Sequence, residues 1–205
     1  SSPTQPAHNT TIALQRGWAL IPEAVWEMSS HDLMPLIRNA KEGDVAELLA
    51  LEKACWLPAL RTDRETIIER IHTYPLGQYV VELDQKVCGV LYTQRIVDVK
   101  LLTENGSYEK HLLAHEASGP IVQLLSIAVN PRIKVGNVAA SLRDHALKVA
   151  AGDRSIDVVV AMTRTSRFAL PPVTSERLAM DEYDAYVQKK RDPTIFFHCS
   201  GGAQI

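Results

Sequence analysis

Apolar and polar positions recur at helix and strand spacing from Met34 onward and predict a series of ordinary elements. A short strand begins at Leu36 and is followed by a helix with Asp44 as its N-cap. Thr62 and Glu65 fit a capping box, in which the two residues satisfy each other's free amides, ahead of a second helix. Both helices carry apolar residues spaced to form one buried face.

The middle of the chain predicts a hairpin and a buried strand. Residues 78–83 and 87–96 are rich in Val, Tyr and Leu and are separated by a short polar turn, which predicts an antiparallel hairpin. We expect residues 97–119 to form an insertion with a short helix near Lys110 to His115. The run 120–129 is apolar on both faces, as a central buried strand is.

Beyond that strand, a basic turn containing a glycine leads into the last predicted helix and strand. The turn spans Arg132 to Asn137, the helix Val138 to Ala151 and the strand Asp157 to Met162. The predicted order is β, α, α, β, β, β, α, β, which indicates an α/β fold with a mixed α+β sheet. The turn precedes a helix N-terminus, where backbone amides favour phosphate.

The opening of the chain differs in composition from the rest. Residues 1–11 are rich in Ser, Pro, Thr and Asn, as linkers are, and residues 12–32 fit either a helix or an arm that covers the domain. We expect a linker and N-terminal extension over residues 1–33 and one domain over residues 34–205. Ser1 at the first position and the linker-like composition lead us to expect a piece of a longer polypeptide.

Composition narrows the class of protein. The chain has 205 residues, 46% of them hydrophobic, which is enough for one buried core. Its 22 basic and 24 acidic residues are spread along the chain and give a formal net charge of -2, so they predict no nucleic-acid partner. The three cysteines are far apart and odd in number, which favours a reducing compartment. No apolar run reaches membrane-spanning length, and we expect a cytoplasmic protein with no membrane partner.

The strand ending in Ser-Ile-Ala-Val-Asn-Pro, followed by a glycine loop and a helix, resembles the GNAT acyltransferase superfamily from about Leu36 to the end of the chain. The resemblance implies a central splayed sheet flanked by helices. It also implies that coenzyme A or phosphopantetheine carries a thioester substrate along this strand and loop. The positions that correspond to the pantetheine and phosphate contacts are Ala128, Val129, Arg132, Lys134, Gly136, Asn137 and Val138. Only Gly136 matches the family's loop signature, so thioesters on coenzyme A and on a carrier protein both stay open.

The end of the chain is similar to a narrower group, the GNAT-like loading domains of modular polyketide synthases. The resemblance lies in Phe-His-x-Ser-x-Gly-Ala at 197–203, in Met-Thr-Arg at 162–164 and in Ala-Cys-Trp at 54–56. It implies catalytic roles for His198 and Thr163. It further implies decarboxylation of a malonyl or methylmalonyl thioester, with S-acyl transfer to an acyl carrier protein also attributed to the group. An acyl carrier protein and neighbouring synthase domains are then the partners.

The corresponding residues have coherent roles in that reaction. Loss of carbon dioxide leaves an enolate, which needs a donor at the thioester oxygen and a dry pocket. His198, with an ordinary pKa of about 6.5, suits donation to that oxygen or return of a proton to the α-carbon. Thr163 would orient the carboxylate, and Trp56 would line the acyl pocket. This chemistry requires no metal or redox cofactor. The family also carries an Arg one strand after the His, a position past Ile205, so we expect that either the chain or the site is incomplete.

Other interpretations of the same residues stay open. His198 and Trp56 are also typical of a packed core. Thr165 competes with Thr163 on the same strand face, and Cys199 beside His198 suggests a Cys-His nucleophile. For the function, the alternatives are an amine N-acetyltransferase that uses acetyl-CoA and a non-catalytic module that binds acyl thioesters or carrier proteins.

Overall fold

The computed structural model describes residues 9–15, 35–104, 115–134, 136–168 and 176–205. Within these ranges the chain forms a six-stranded sheet with helices on both faces. The strands are β1 (Asn9–Gln15), β2 (Leu36–Asn39), β3 (Gln78–Leu83), β4 (Lys86–Ile96), β5 (Ile121–Val129) and β6 (Val158–Arg164). The helices are α1 (Val45–Cys55), α2 (Arg64–Thr73), α3 (Lys100–Glu104), α4 (Val138–Gly152), α5 (Glu176–Gln188) and α6 (Pro193–Ser200). Apart from the short α3, the order from β2 to β6 confirms the prediction.

Strand β5 lies near the centre of the sheet and separates from β6 partway along. The order across the sheet is β1-β6-β5-β4-β3-β2, and only β5 and β6 are parallel neighbours. β5 pairs with β4 from Ile121 to Val129 but with β6 only as far as Leu124. At the same level the β4–β5 register shifts, so that Leu125 is an extra residue in β5. The expected splay in the sheet is therefore confirmed.

Residues on opposite faces of β4 pack into two cores. Leu91 lies with Leu142 of α4 and Ile195 of α6, whereas Tyr92 lies with Leu48 of α1 and Ile67 of α2. All six are 0% exposed. Burial of one such aliphatic side chain contributes about 1.5–3 kcal/mol. The alternation follows from the two-residue period of a strand and fixes the sheet between two layers of helices.

Asp44 does not act as the predicted side-chain cap of α1. Its carboxylate accepts a hydrogen bond from the Lys41 amide at 2.9 Å and pairs with the Arg38 guanidinium at 2.7 Å. The backbone of Asp44 already belongs to a 3-10 turn, Glu42–Asp44, that leads into the helix. The helix starts where the sequence predicts, but the Asp44 carboxylate binds Arg38 of β2 and does not cap the helix.

The predicted capping box at Thr62 and Glu65 is also wrong. The N-cap of α2 is Asp63, whose Oδ1 accepts a hydrogen bond from the Thr66 amide at 2.8 Å. The Thr62 amide donates to the carboxylate of Glu52 at 2.9 Å. Asp63 lies one residue after Thr62 and satisfies a free amide at the start of α2, because Asp is among the best N-caps.

The β3–β4 hairpin is confirmed, with a turn shorter than the sequence predicts. Leu83 pairs with Lys86, which leaves Asp84 and Gln85 as a two-residue turn. Both have positive φ, 51° and 60°. Two left-handed residues define a type I′ turn, whose twist matches that of the strands it joins.

The insertion and the N-terminal segment are described in part. Within the predicted insertion, α3 lies at Lys100–Glu104, while the helix expected near residues 110–115 falls on residues that lie, except for His115, outside the described ranges. Asn9–Gln15 forms β1, which pairs antiparallel with β6, so part of the expected linker and extension belongs to the sheet. The domain boundary at residue 33 stays a prediction.

No helix in the described ranges combines the length and the apolar character needed to cross a bilayer. The same ranges contain no group of three or more His, Cys, Asp or Glu side chains placed to hold a metal ion. The cytoplasmic location and the absence of a metal stay predictions.

Candidate active site

An apolar cavity of about 570 Å³ lies where β5 separates from β6. Its walls come from β5, the end of β6, α6 and the segment that follows α1. Apolar lining residues include Trp56, Leu60, Leu124, Leu125, Met162 and Phe197. Polar lining residues are Ser126, Thr163, Ser166, Thr194 and His198. Apolar walls with a few convergent polar groups are the usual composition of a small-molecule site.

His198 reaches this cavity from the last turn of α6. The helix begins at Pro193, with Asp192 as its N-cap, and the His198 ring packs edge-on against Phe197 with 5.1 Å between ring centroids. Burial, and secondarily the positive charge of Arg143, lower the pKa of His198 to about 4. The imidazole is therefore neutral at physiological pH.

The sequence left two roles open for His198, hydrogen-bond donation to an oxygen and proton transfer to a carbon, and the neutral ring suits only the first. Neutral imidazole donates a hydrogen bond through its N–H group, whereas proton transfer to carbon requires the imidazolium. The expectation that both protonation states are available rested on an ordinary pKa, and burial removes that condition. The site therefore favours His198 as a hydrogen-bond donor to an oxygen.

Arg143 of α4 holds the end of α6 beside His198. It is 3% exposed, and its guanidinium donates to the Phe197 carbonyl and, at 3.1 Å, to Ser200 Oγ. The same guanidinium lies 4.7 Å from the centroid of the Phe197 ring. Gly201 permits this approach, because a Cβ at that position would lie 2.5 Å from Arg143 Nε. This buried cation thus fixes the helix turn, and its charge adds to the effect of burial on the neighbouring imidazole.

Thr163 and Trp56 line the same cavity as His198, so the structure brings the three expected site residues together. Thr163 is the penultimate residue of β6 and is 7% exposed. Trp56 directly follows α1 and is half-buried, and its carbonyl accepts a hydrogen bond from Arg61 Nε at 2.9 Å. Thr165 follows the last residue of β6 and is not part of the cavity lining. Among the two threonines, the geometry favours Thr163.

Cys199 belongs to a different environment from its neighbour His198. It is half-buried and packs against the core formed around α4. The cavity lining includes His198 but not Cys199. A Cys-His nucleophile in this cavity is therefore not supported by the geometry.

Of the two positions expected to meet pantetheine, Ala128 is buried and Val129 is half-buried, and neither side chain lines the cavity. Ala128 is 2% exposed and belongs to the core beneath α1. The Val129 carbonyl accepts a hydrogen bond from Cys55 Sγ at 3.2 Å. The side chains of β5 that line the cavity are those just before them, including Ser126 and Ile127. Contact of Ala128 and Val129 with a ligand stays a prediction for their backbone groups.

The loop expected to bind phosphates has the geometry of a helix N-terminus. Gly136 has a φ of 58°, in the left-handed region that favours glycine. Asn137 caps α4, and its Oδ1 accepts a hydrogen bond from the Ala140 amide at 3.3 Å. Arg132 and Lys134 are exposed on the loop, and Val138 is buried behind it. Exposed cations next to helix amides suit an anion, which keeps the phosphate prediction open.

Sequence reasoning missed Arg143 and Asp192. The signal for Asp192 is its place before Pro193, because an Asp-Pro pair marks an N-cap and the first helical position. Arg143 lies one residue after Leu142 and three before Ala146, on the predicted buried face of α4. A charged residue on a buried face requires a partner, so its position already indicates a buried polar contact.

The sequence matches no family model and no curated protein. Two solved structures match over most of the chain. The loading GNATL domain of CurA from Lyngbya majuscula is 30% identical with a TM-score of 0.73, over 84% of this chain and 85% of that one. The GphF GNAT-like decarboxylase in complex with isobutyryl-CoA is 29% identical with a TM-score of 0.65, over 80% of this chain and 84% of that one.

The mixed sheet, the splay of β5 from β6 and the cavity within that splay define the GNAT acyltransferase fold. With the identity and coverage of the CurA match, the chain belongs to the GNAT-like enzymes of this superfamily, in the group that includes the CurA loading domain. The family that the sequence resembled is thereby confirmed. The individual roles of His198, Thr163 and Trp56 stay predictions.

Proposed function

We propose that this domain decarboxylates a malonyl or methylmalonyl thioester to provide an acyl starter unit for polyketide biosynthesis. The observation that carries the proposal is the meeting of His198 and Thr163 in one apolar cavity with Trp56. The similarity to the GphF decarboxylase supports the same reaction class. Transfer of the resulting acyl group to an acyl carrier protein is a further step within this proposal.

The residues of the cavity suit each part of the reaction. The bond between the α-carbon and the carboxylate carbon breaks, its electron pair forms the enolate of the thioester, and carbon dioxide leaves. His198 donates a hydrogen bond to the thioester oxygen, where negative charge collects, and water supplies the proton that the α-carbon takes up. The Thr163 hydroxyl orients the carboxylate, and the apolar wall at Trp56 disfavours its charge, which the reaction removes.

The carrier of the thioester is coenzyme A or the phosphopantetheine of a carrier protein. Both would present the same pantetheine arm along β5 and a phosphate near the loop 132–138. The bound isobutyryl-CoA of the GphF structure supports a coenzyme A-type substrate. We propose an acyl carrier protein and neighbouring synthase domains as partners, because a loading domain must pass on its product.

Mass spectrometry of malonyl- and methylmalonyl-loaded carrier protein, and of the corresponding coenzyme A thioesters, tests the proposal. Wild-type protein should remove the mass of carbon dioxide from at least one substrate. His198→Ala should abolish this loss, while His145→Ala, a half-buried histidine that packs edge-on against Tyr79 outside the cavity, should retain it. Using both variants separates loss of the donor from a general effect of removing a histidine.

Absence of carbon dioxide loss with every substrate would contradict the proposed decarboxylation. Acetylation of an amine by acetyl-CoA would then establish the N-acetyltransferase alternative. Thioester binding that His198→Ala leaves unchanged, without turnover, would establish the binding module.

A further inference from the structure

Asp192 is a buried carboxylate that joins two separate segments of the cavity wall. It is 1% exposed, and both oxygens are engaged. Oδ2 accepts hydrogen bonds from the Ser166 amide at 2.8 Å, the Arg167 amide at 3.0 Å and the Tyr186 hydroxyl at 2.9 Å. Oδ1 accepts from the Thr194 amide at 2.9 Å and from Ser166 Oγ at 3.2 Å. One side chain therefore organises donors from the segment after β6, from α5 and from α6.

The two connected segments carry the two candidate catalytic residues. Ser166 follows Thr163 by three residues and itself lines the cavity. Thr194 also lines the cavity and lies in the first turn of α6, which ends near His198. In the sequence Thr163 and His198 are far apart, and Asp192 is a direct hydrogen-bonded link between their segments.

We propose that Asp192 is a positioning residue that sets the placement of Thr163 relative to His198. The inference rests on the proposed decarboxylase function for its catalytic consequence. The carboxylate is suited to this task, since charged hydrogen bonds are shorter and stronger than neutral ones. Burial acts to raise the pKa of Asp192, but the hydrogen bonds from Tyr186, Thr194, Arg167 and Ser166 outweigh it and lower that pKa, which keeps the acceptor charged at neutral pH.

The backbone amides of Ser166 and Arg167 donate to Oδ2 and that of Thr194 to Oδ1, which suggests two variants. In Asp192→Ser the single short-chain oxygen can still cap α6, because Ser is a strong N-cap, but the acceptor for Ser166 and Arg167 is lost. Asp192→Asn keeps the size of the side chain but replaces one acceptor oxygen by a donor. Tyr186→Phe is the matched control, since it removes one donor to Oδ2 and leaves both backbone hydrogen bonds to the segment after β6.

Amide hydrogen exchange and steady-state decarboxylation measure the two parts of the inference. In Asp192→Ser the Ser166 and Arg167 amides should exchange about 10-fold faster, while the Thr194 amide keeps its protection. Both Asp192 variants should lower kcat by about 100-fold with a smaller change in KM, because misplacement affects the transition state more than binding. Tyr186→Phe should keep kcat within about 3-fold of wild type, because it retains the backbone link.

The outcomes separate this inference from the proposed function. Wild-type kcat in folded Asp192→Asn and Asp192→Ser would overturn the positioning role while decarboxylation stands. Unchanged exchange at Ser166 and Arg167 in both variants would overturn the link itself. If wild-type protein fails to decarboxylate any substrate, the proposed function fails, and faster exchange in the variants still supports Asp192 as the group that holds the two segments together.

Discussion

His198 shows how one residue's environment decides its chemistry. The sequence places a histidine near the end of the chain, but its charge depends on two features that the sequence does not reveal. These are the burial of its ring and the neighbouring guanidinium of Arg143. Both disfavour the imidazolium and leave a neutral donor next to an apolar cavity. The neutral state should be detectable in the pH dependence of the free energy of unfolding.

The free energy of unfolding should fall in acid, because the unfolded chain takes up a proton at His198 that the folded chain resists. The unfolded chain binds a proton at His198 below about pH 6.5, whereas the folded chain resists it down to about pH 4, so stability falls as pH falls through this window. His198→Gln lacks this titration. Urea unfolding of both proteins should show wild type losing about 1–3 kcal/mol more than the variant between about pH 7 and pH 4.5. A difference in unfolding free energy that stays constant with pH would contradict the buried neutral state.

Thr163 and Thr165 provide a matched pair of variants that test the proposed role of the Thr163 hydroxyl. Thr163→Val keeps the shape of a buried residue that lines the cavity but removes its hydroxyl. We expect its rate of carbon dioxide release to fall about 10- to 100-fold, because the carboxylate loses an orienting hydrogen bond. Thr165→Val, beyond the end of β6, should keep the wild-type rate. Equal rates in the two variants would remove Thr163 from the mechanism.

At the scale of the element, the sequence predicted most of what local patterns control. The apolar run of β5 and the hairpin between β3 and β4 follow from local period and turn chemistry. Asp44 is the N-cap residue of α1 as predicted, but its carboxylate pairs with Arg38 instead of capping the helix. The capping box at Thr62 was wrong because Asp63, one residue later, supplies the cap. The links made by Arg143 and Asp192 join distant segments, and sequence spacing carries no distance information of that kind.

Two glycines at opposite ends of α4 provide a test of the turn before this helix. Gly136 has a φ of 58°, so Gly136→Ala should destabilise the fold by about 1 kcal/mol and weaken coenzyme A binding. Gly152 ends the same helix, and a methyl group added to its Cα would meet no atom within 4 Å, so Gly152→Ala should be neutral or stabilise by up to about 1 kcal/mol. Urea unfolding and calorimetric titration with coenzyme A measure both. A stabilising effect of Gly136→Ala would show that the turn does not require glycine.

At the scale of the whole molecule, the site depends on a sheet in which the N-terminal strand β1 pairs with β6. β6 lies between β5, with which it shares only a short parallel ladder, and β1 from the N-terminal segment. Thr163 of β6 pairs with Thr10 of β1, and the cavity opens beyond Leu124 on the other side of β6. The pairing of β1 is a long-range contact in a segment whose composition suggested a linker. Its removal should therefore affect the position of Thr163 as well as stability.

Truncation tests whether β1 supports the site. A chain of residues 16–205 lacks β1 and leaves β6 as an edge strand with unpaired backbone groups, whereas a chain of residues 9–205 retains the full ladder. We expect the shorter chain to lose at least about 2 kcal/mol of unfolding free energy, because several ladder hydrogen bonds are removed. Its decarboxylation rate should fall with it, while residues 9–205 match the full chain in urea unfolding and in turnover. Equal stability and turnover in all three chains would show that β1 is dispensable to the domain.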